Sequence, residues 1–213
     1  MKRYFLIIII AIIAFQSCKE KNNPDPETLG PVTDFLPLKI SNYWVYERSS
    51  CDSTWTDCTT LSQDTCRITK DTIINNKLYY KLEGKNILNV DIPLFLRDSG
   101  DYIVNSMGYI YLSIDEVNSI IYEEYIINTP DTDTLYYMFR DMVGYPNKVV
   151  VPAGTFDCID NRTTLFKFQE GINEGISAHN YFAKNVGRVY ENVLFASSRG
   201  GMQSQLIGYH VGN

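Results

Sequence analysis

Residues 67–84 read RITKDTIINNKLYYKLEG, and this stretch carries the pattern that decides the fold. Two runs of alternating or continuous apolar residues, Arg67 to Ile74 and Lys77 to Gly84, flank the dipeptide Asn75-Asn76. Asparagine tolerates the positive φ angles that a two-residue hairpin turn requires. The stretch therefore predicts a β-hairpin.

The same pattern continues on both sides of this hairpin. Almost every segment after residue 38 alternates or forms a short apolar run bounded by turn residues, among them Asp98-Ser99-Gly100-Asp101 and Met107-Gly108. No stretch keeps the spacing of an amphipathic helix for three turns. We predict an all-β fold of about 11 to 13 antiparallel strands with few short helices. A sheet of that size curves into a half-open barrel or splits into a sandwich, and local alternation does not choose between them.

The composition excludes several classes of function. The chain has 213 residues, of which 45% are hydrophobic and 21% charged, as in ordinary globular proteins. Its net charge of -6 argues against a nucleic-acid partner. Sixteen tyrosines stand against two histidines, which suits strands and leaves little imidazole for catalysis or metal binding. We expect no cofactor and no metal site.

The amino terminus has the layout of a signal peptide. Lys2 and Arg3 precede an apolar stretch from Tyr4 to Phe15. As a helix this stretch would reach about 18 Å, well short of the roughly 30 Å hydrocarbon core of a bilayer. We predict a signal peptide at residues 1–17. Its removal leaves 17 basic and 25 acidic side chains, a net charge of -8.

The end of this signal, Phe15-Gln16-Ser17-Cys18, resembles a lipobox of the Bacteroidetes type. The resemblance implies cleavage before Cys18 and addition of acyl chains, palmitate among them, to the thiol and the new amino terminus. An ordinary secretory signal is the alternative. Residues 18–34 then comprise the lipidated cysteine and a proline-rich flexible tether, and residues 35–213 form a single β domain. The expected partner is a membrane, reached through the lipid in the cell envelope, with the outer membrane as the expected site.

Four cysteines follow the lipidated one: Cys51, Cys58, Cys66 and Cys158. An even number in an exported chain indicates disulfides, and three pairings are possible. Cys51 with Cys66 is the leading pair, because these two close the ends of a polar loop between adjacent strands. Zinc requires shorter spacings than seven and eight residues. Cys158 lies in a predicted strand and fits a buried apolar position.

Three segments are similar to a loose group of Bacteroidetes-type outer-membrane lipoproteins of unknown function. They are FLPLKISNYWVYERS (Phe35 to Ser49), VPAGTFDCIDNR (Val151 to Arg162) and NYFAKNVGRVYEN (Asn180 to Asn192). The group has the patterns LPLKxGNxWVY, VPAGTFxC and YYAKNVGLV, and Ser41 stands where it often has glycine. The resemblance implies a strongly curved antiparallel domain and brings no catalytic residues.

Candidate enzymes lack the required residues, so we expect no enzymatic activity. A serine hydrolase needs a nucleophile on a sharp turn with a histidine base, and only Gly175 to His179 approaches such a motif. A hydrolase using distant carboxylates is the third interpretation. Its candidate acids are Glu123, Glu124, Asp141 and Asp160.

Clusters of tyrosine and phenylalanine give the remaining functional hypothesis. On alternating strands about half of these rings face inward, where they either fill a core or line a groove. Tyr43, Tyr80, Tyr111 and Tyr137 are the candidates for a groove that binds an apolar ligand, a glycan or a peptide. A carrier predicts an enclosed cavity lined by Leu, Ile, Tyr and Phe with no charge inside. The alternative, a structural or adhesive surface lipoprotein, predicts a filled core.

Overall fold

The hairpin at Asn75-Asn76 is present in the computed structural model. It joins strands Cys58–Ile74 and Lys77–Glu83, and Ile74 pairs with Lys77 across the turn. The two asparagines have φ angles of 50° and 59°. Asparagine is among the few residues that adopt this left-handed region at low cost, so the turn chemistry accounts for the hairpin.

The structure covers most of the chain after the amino terminus. It describes residues 29–91, 94–115, 119–128, 133–167, 175–195 and 200–212, and for 126–128, 133–135 and 167 the backbone alone. The predicted signal peptide at residues 1–17 and the predicted lipidation site Cys18 lie outside the described residues.

Within these ranges the chain forms a short 3-10 helix at Val32–Asp34 and then thirteen strands. The strands are β1 (Tyr43–Cys51), β2 (Cys58–Ile74), β3 (Lys77–Glu83), β4 (Leu94–Asp98), β5 (Tyr102–Asn105), β6 (Ile110–Ser113), β7 (Ile120–Asn128), β8 (Asp133–Val151), β9 (Gly154–Lys167), β10 (Gly175–Ala178), β11 (Asn180–Ala183), β12 (Gly187–Leu194) and β13 (Gly201–His210). The predicted all-β fold is confirmed.

All thirteen strands belong to one antiparallel sheet. Their order is β6-β5-β4-β3-β2-β1-β13-β12-β11-β9-β8-β7, with β10 paired to β9 beside β11. Of the two architectures that the sequence left open, the chain adopts the single curved sheet, which is nearly closed and barrel-like. Strands β6 and β7 are the ends of the hydrogen-bonded path.

The core lies inside the curve of the sheet. Along β1 the exposure alternates, with Tyr43 41% exposed and Trp44 only 2%. Trp44 joins Phe35, Phe182 and Leu112, which are fully buried and come from distant parts of the chain. Burial of such apolar surface stabilises the fold by about 25 cal/mol per Å².

Side chains, and not a strand ladder, connect the edge strand β6 to the far side of the sheet. The Arg140 guanidinium on β8 donates to the main-chain oxygen of Ile110 through Nη2, and Asn161 Nδ2 on β9 donates to that of Tyr111 at 3.0 Å. The Tyr111 ring meets Phe182 of β11 edge to face, with centroids 6.0 Å apart. These contacts satisfy carbonyl groups that an edge strand would otherwise leave without a partner in the protein.

Replacing Arg140 with methionine is expected to loosen this closure. Methionine retains apolar bulk but donates no hydrogen bond to Ile110, so β5 and β6 should open more often. The loss of this hydrogen bond should lower the local stability by about 1 kcal/mol. We therefore expect the amides of residues 102–113 to exchange at least fivefold faster, as measured by hydrogen exchange and mass spectrometry.

Lys148→Met is the matched control for this change. Lys148 is also on β8 and pairs with Asp157, but this pair is exposed and does not touch β6. Unchanged exchange in residues 102–113 of the Arg140→Met protein would show that the side-chain bridge does not hold the edge strand.

The disulfide differs from the leading sequence prediction. Cys51 is bonded to Cys58, while Cys66 and Cys158 are free and buried. The pairing Cys51–Cys66 was wrong because residues 58–66 are the first half of β2 and not a loop. In the β1–β2 register Cys51 faces Cys58, whereas Cys66 faces Trp44 at the other end of β1.

The folded domain begins earlier than the predicted boundary at residue 35. Leu29 and Val32, assigned above to the tether, are 1% and 0% exposed and belong to the hydrophobic core. Lys184 fixes this segment by donating to the main-chain oxygen of Leu29 at 3.0 Å. Single aliphatic residues in a proline-rich segment form no periodic pattern, so the sequence did not indicate that they pack against the sheet.

Ser41 occupies a backbone position suited to glycine. Its φ angle is 79°, in the left-handed region. A residue with a Cβ atom pays roughly 1–2 kcal/mol there relative to the right-handed conformation. A glycine at position 41 would avoid this cost, because it has no Cβ atom.

Candidate functional site

Two cavities lie side by side in the structure and share part of their walls. The first, called here the apolar compartment, has a volume of about 320 Å³ and is partly open to solvent. The second, the polar compartment, has about 290 Å³. Tyr111, Glu191 and Val193 line both cavities. Both volumes lie near the lower end of the range for small-molecule sites.

Aliphatic side chains form much of the wall of the apolar compartment. Leu82, Ile87 and Leu94 come from β3, from the loop after it and from β4. Gly84 packs directly against Cys66, where an added Cβ would lie 2.6 Å from Sγ. This close approach brings the loop against β2.

A buried arginine holds the same loop. The Arg48 side chain is 4% exposed and forms an ion pair with Asp64 at 2.5 Å. Its Nη2 also donates to Asn89 Oδ1 at 3.0 Å, and Nη1 to the main-chain oxygen of Ile87 at 3.5 Å. The loop that lines the apolar compartment is thus tied to β1 by charge-assisted hydrogen bonds.

Arg188 and Glu191 of β12 place a charge pair in the wall of the apolar compartment. Arg188 Nη1 lies 2.8 Å from Glu191 Oε2, and the two side chains are 14% and 18% exposed. The guanidinium also lies over the Tyr46 ring, 5.0 Å from its centroid. Burial alone would lower the pKa of Arg188, but Glu191 and the neighbouring tyrosines raise it well above the ordinary value. Arg188 is therefore charged at any physiological pH.

A register shift in β12 explains why these two residues meet. In a regular strand, side chains three positions apart point to opposite faces. On β11, Phe182 pairs with Arg188 but Tyr181 pairs with Tyr190, so Val189 is an extra residue in β12. Such a bulge inverts the alternation beyond it. Arg188 and Glu191 consequently share one side of the strand.

The polar compartment gathers buried atoms that lack hydrogen-bond partners. Among the described residues, four such side-chain atoms occur: Arg140 Nε, Asn161 Oδ1, Asn180 Oδ1 and Glu191 Oε2. All four residues line this compartment. The ion pair brings Arg188 within 2.8 Å of Glu191 Oε2 without the alignment of a hydrogen bond. Buried polar atoms normally find a partner, so their concentration in one cavity marks a place where a ligand or water binds.

His179 borders the polar compartment and has Asp160 and Tyr181 as its hydrogen-bond partners. His179 Nδ1 lies 2.8 Å from Asp160 Oδ2 and 3.4 Å from the Tyr181 hydroxyl. The His179 and Tyr181 rings stack in parallel with centroids 5.5 Å apart. Burial first, and the nearby Asp160 second, raise the pKa of Tyr181 to about 12, so its hydroxyl stays protonated. These contacts orient the imidazole at the rim of the cavity.

The four tyrosines predicted from the sequence lie in different places. Tyr111 lines both compartments, and burial raises the pKa of its hydroxyl. Tyr80 packs against the core. Tyr43 stacks on His210 at 5.7 Å, away from both compartments. Tyr137 belongs to a row of rings with Tyr125, Phe139 and Phe166 across β7, β8 and β9. The structure therefore brings one of the four to these two compartments, and Tyr43 lines a separate pocket of about 350 Å³.

The candidate acids are likewise separated. Asp141 forms an ion pair with Arg162 at 2.6 Å, and Asp160 pairs with His179. Glu123 and Glu124 are exposed on β7 and accept hydrogen bonds from tyrosine hydroxyls. Of these acids Asp160 alone adjoins the polar compartment, through His179. The Ser177 hydroxyl lies 3.0 Å from Thr164 Oγ1.

The two compartments are not the enclosed, charge-free cavity that the carrier hypothesis predicts, since both are partly open to solvent and have charged residues in their walls. Arg188, Glu191 and Arg140 all line one or both compartments. Charges are tolerated there because Arg188 and Glu191 neutralise each other and Arg140 donates to a main-chain oxygen. Sequence reasoning missed these residues, together with Asn161 and Asn180, since each stands singly in a strand. The one feature of the sequence that could have indicated these residues is the presence of polar residues within otherwise apolar runs.

Membrane-spanning helices and metal-binding groups are both absent from the part of the chain that the structure describes. No helix there has the length and apolar character required to cross a membrane. No group of three or more His, Cys, Asp or Glu side chains is arranged to hold a metal ion in those ranges.

Comparisons with known proteins give two solved structures with a similar chain path. One is a Bacteroides fragilis protein classed as exported with a YmcC-like fold, 12% identical with a TM-score of 0.45, covering 81% of this chain and 96% of that one. The other is a Parabacteroides distasonis protein classed as a lipoprotein, 13% identical with a TM-score of 0.42, covering 83% and 98%. No protein-family model and no curated protein matches the chain. At these values neither structure carries an argument about function.

Proposed function

We propose that this chain is a lipid-anchored binding protein of the cell envelope, without enzymatic activity, that holds a small amphipathic ligand in its two adjoining compartments. One observation carries the proposal. All four buried side-chain polar atoms that lack a hydrogen bond among the described residues line a single cavity, and this cavity shares a wall with one that Leu82, Ile87 and Leu94 line. An amphipathic molecule matches that pair of surfaces.

The contacts around the cavities favour binding over catalysis. Asp160 and Tyr181 engage His179, and Ser177 contacts Thr164. The hydroxyl beside His179 belongs to Tyr181, and its raised pKa of about 12 makes it a poor nucleophile. The two compartments lack the enclosed, charge-free interior that a carrier of purely apolar ligands predicts, but their mixed walls suit an amphipathic ligand better than the filled core of a structural lipoprotein does.

The anchor rests on the sequence. The signal-like segment and the lipobox-like Phe15 to Cys18 support attachment of acyl chains at Cys18, and the outer membrane is the proposed location. A Cys18→Ala protein is expected to leave the membrane fraction almost completely, because two or more acyl chains supply the binding energy for stable attachment. Fractionation of cells followed by immunoblotting measures this. A protein that stays with the membrane after this substitution would contradict the anchor.

Binding is tested by blocking the wall that the compartments share. Val193 lines both, and a tryptophan there would fill space that a ligand needs. We expect Val193→Trp to weaken binding of the fluorescent apolar probe N-phenyl-1-naphthylamine at least tenfold in a titration with the purified chain. Val150→Trp is the matched control, because Val150 is 73% exposed on β8. Equal affinities of the two variants would overturn the proposed site.

A further inference from the structure

The unpartnered atoms of the polar compartment specify what a ligand must offer. Asn161 Nδ2 donates to the main-chain oxygen of Tyr111, which fixes the orientation of the amide and leaves Oδ1 as a free acceptor. Asn180 Oδ1 adds a second acceptor, Glu191 Oε2 adds a third that is ion-paired with Arg188 but not hydrogen-bonded, and Arg140 Nε is a single donor. A ligand must therefore bring several donors and at least one acceptor. Hydroxyl groups supply both.

The charge of the compartment argues for a neutral ligand. Besides His179 and Tyr111, the ionisable groups that line this compartment are Arg140 and Glu191, one positive and one negative. An anionic head group would face three acceptor oxygens with one free donor. An ammonium group would satisfy the acceptors but would lie close to Arg140 and leave its Nε unpaired. A neutral polyol brings no charge close to Arg140 or to the acceptor oxygens, and its hydroxyl groups can both donate and accept.

The size of the two cavities limits the ligand further. A volume of about 290 Å³ is at the lower limit for small-molecule sites, so the polar compartment accommodates one small ring and not an oligosaccharide. The Tyr111 ring lines both cavities, and its flat apolar face suits the C–H face of a sugar. Beyond it, Leu82 and Leu94 offer an aliphatic wall for a chain.

We infer that the polar compartment binds the sugar ring of a neutral glycolipid-type amphiphile, with its hydroxyl groups donating to Asn161, Asn180 and Glu191 and accepting from Arg140. The apolar chain lies in the apolar compartment. This inference rests on the proposed function and names the ligand class for the same site.

Two probes with the same chain and different head groups test the inference. n-Octyl β-D-glucoside carries a sugar ring with four hydroxyls, and octyl tetraethylene glycol ether carries ether oxygens that accept but do not donate, with one terminal hydroxyl. Each is titrated below its critical micelle concentration against the purified chain. We expect the glucoside to bind at least tenfold more tightly, because it pairs the buried acceptors that the ether leaves without donors.

Asn180→Leu isolates the head-group contacts. The Asn180 side chain has an unpartnered Oδ1, so its replacement by a leucine of similar size removes one acceptor at little structural cost. The glucoside should lose affinity on the order of tenfold and the ether should bind as before. Gln205→Leu on β13 is the matched amide-to-leucine control, since Gln205 lines neither compartment. Thermal unfolding of both variants confirms that they are folded.

The outcomes separate the two proposals. If both probes bind with equal affinity, compete with N-phenyl-1-naphthylamine and are indifferent to Asn180→Leu, the sugar assignment is wrong and the amphiphile site stands. If the unmodified chain binds the glucoside no more tightly than the Val193→Trp protein does, both the sugar assignment and the proposed function fail. Selective loss of glucoside binding in Asn180→Leu supports the inference.

Discussion

Replacing Arg188 with methionine is expected to lower the free energy of unfolding by about 3–5 kcal/mol. The substitution leaves the Glu191 carboxylate in the barrel interior without its counter-charge, since Arg188 Nη1 lies 2.8 Å from Glu191 Oε2. It also removes the cation from the face of the Tyr46 ring. Urea-induced unfolding, followed by tryptophan fluorescence and circular dichroism, measures the change.

A double variant separates an unpaired charge from lost packing. In Arg188→Met/Glu191→Leu both charges are replaced by apolar side chains, and we expect most of the lost stability to return, because the desolvated carboxylate is gone. Lys148→Met breaks an exposed pair and should cost no more than about 1 kcal/mol. If the double variant is as unstable as the single one, the Arg188 side chain acts through its packing and not through its charge.

Replacing Gly187 with alanine is expected to cost about 3 kcal/mol, the second large effect. Gly187 has a φ angle of 110°, which residues with a Cβ atom rarely adopt. An added Cβ would lie 2.8 Å from Trp44 Nε1 and 3.1 Å from Cε2. Trp44 cannot withdraw easily, because it is 2% exposed and its Nε1 donates to the main-chain oxygen of Val186. Backbone strain and overpacking therefore add.

Gly108→Ala is the matched control for the backbone contribution. Gly108 also has a positive φ angle, 90°, but an added Cβ there meets no atom within 4 Å. Its substitution should cost about 1 kcal/mol, and the difference between the variants gives the packing cost against Trp44. A double-mutant cycle with Trp44→Phe should show coupling between positions 44 and 187. Equal costs for the two glycine substitutions would contradict the close contact.

These two sites connect stability to the proposed binding cavity. Gly187 allows β12 to begin directly against Trp44, and the extra residue Val189 then turns Arg188 and Glu191 to the same side. Glu191 is the carboxylate that both compartments share. The start of β12 thus positions a ligand-facing group by means of a tight backbone contact and a bulge.

The turn residues of the chain predicted local structure well. The predicted turns have positive φ angles at Asn75, Asn76, Gly100 and Gly108, and each turn connects two neighbouring antiparallel strands. The alternation along β1 is present in the structure, but the sequence did not say which face is buried: Trp44 lies in the core, and Tyr43, a predicted groove residue, is 41% exposed. Turns and alternation depend on interactions between residues close in the chain, so the sequence itself contains them.

The tertiary structure alone decided the disulfide, the start of the domain and the binding cavity. Cys51 meets Cys58 because of the β1–β2 register, and Leu29 is buried only against a sheet built from later residues. The cavity joins Tyr111 of β6, Arg140 of β8, Asn161 of β9 and Glu191 of β12. The amino-acid sequence determined by itself that this is an all-β protein with a signal-like amino terminus. How far the sheet curves towards closure depends on strand register, on twist and on bulges such as the one at Val189, and these long-range properties leave no period in the sequence.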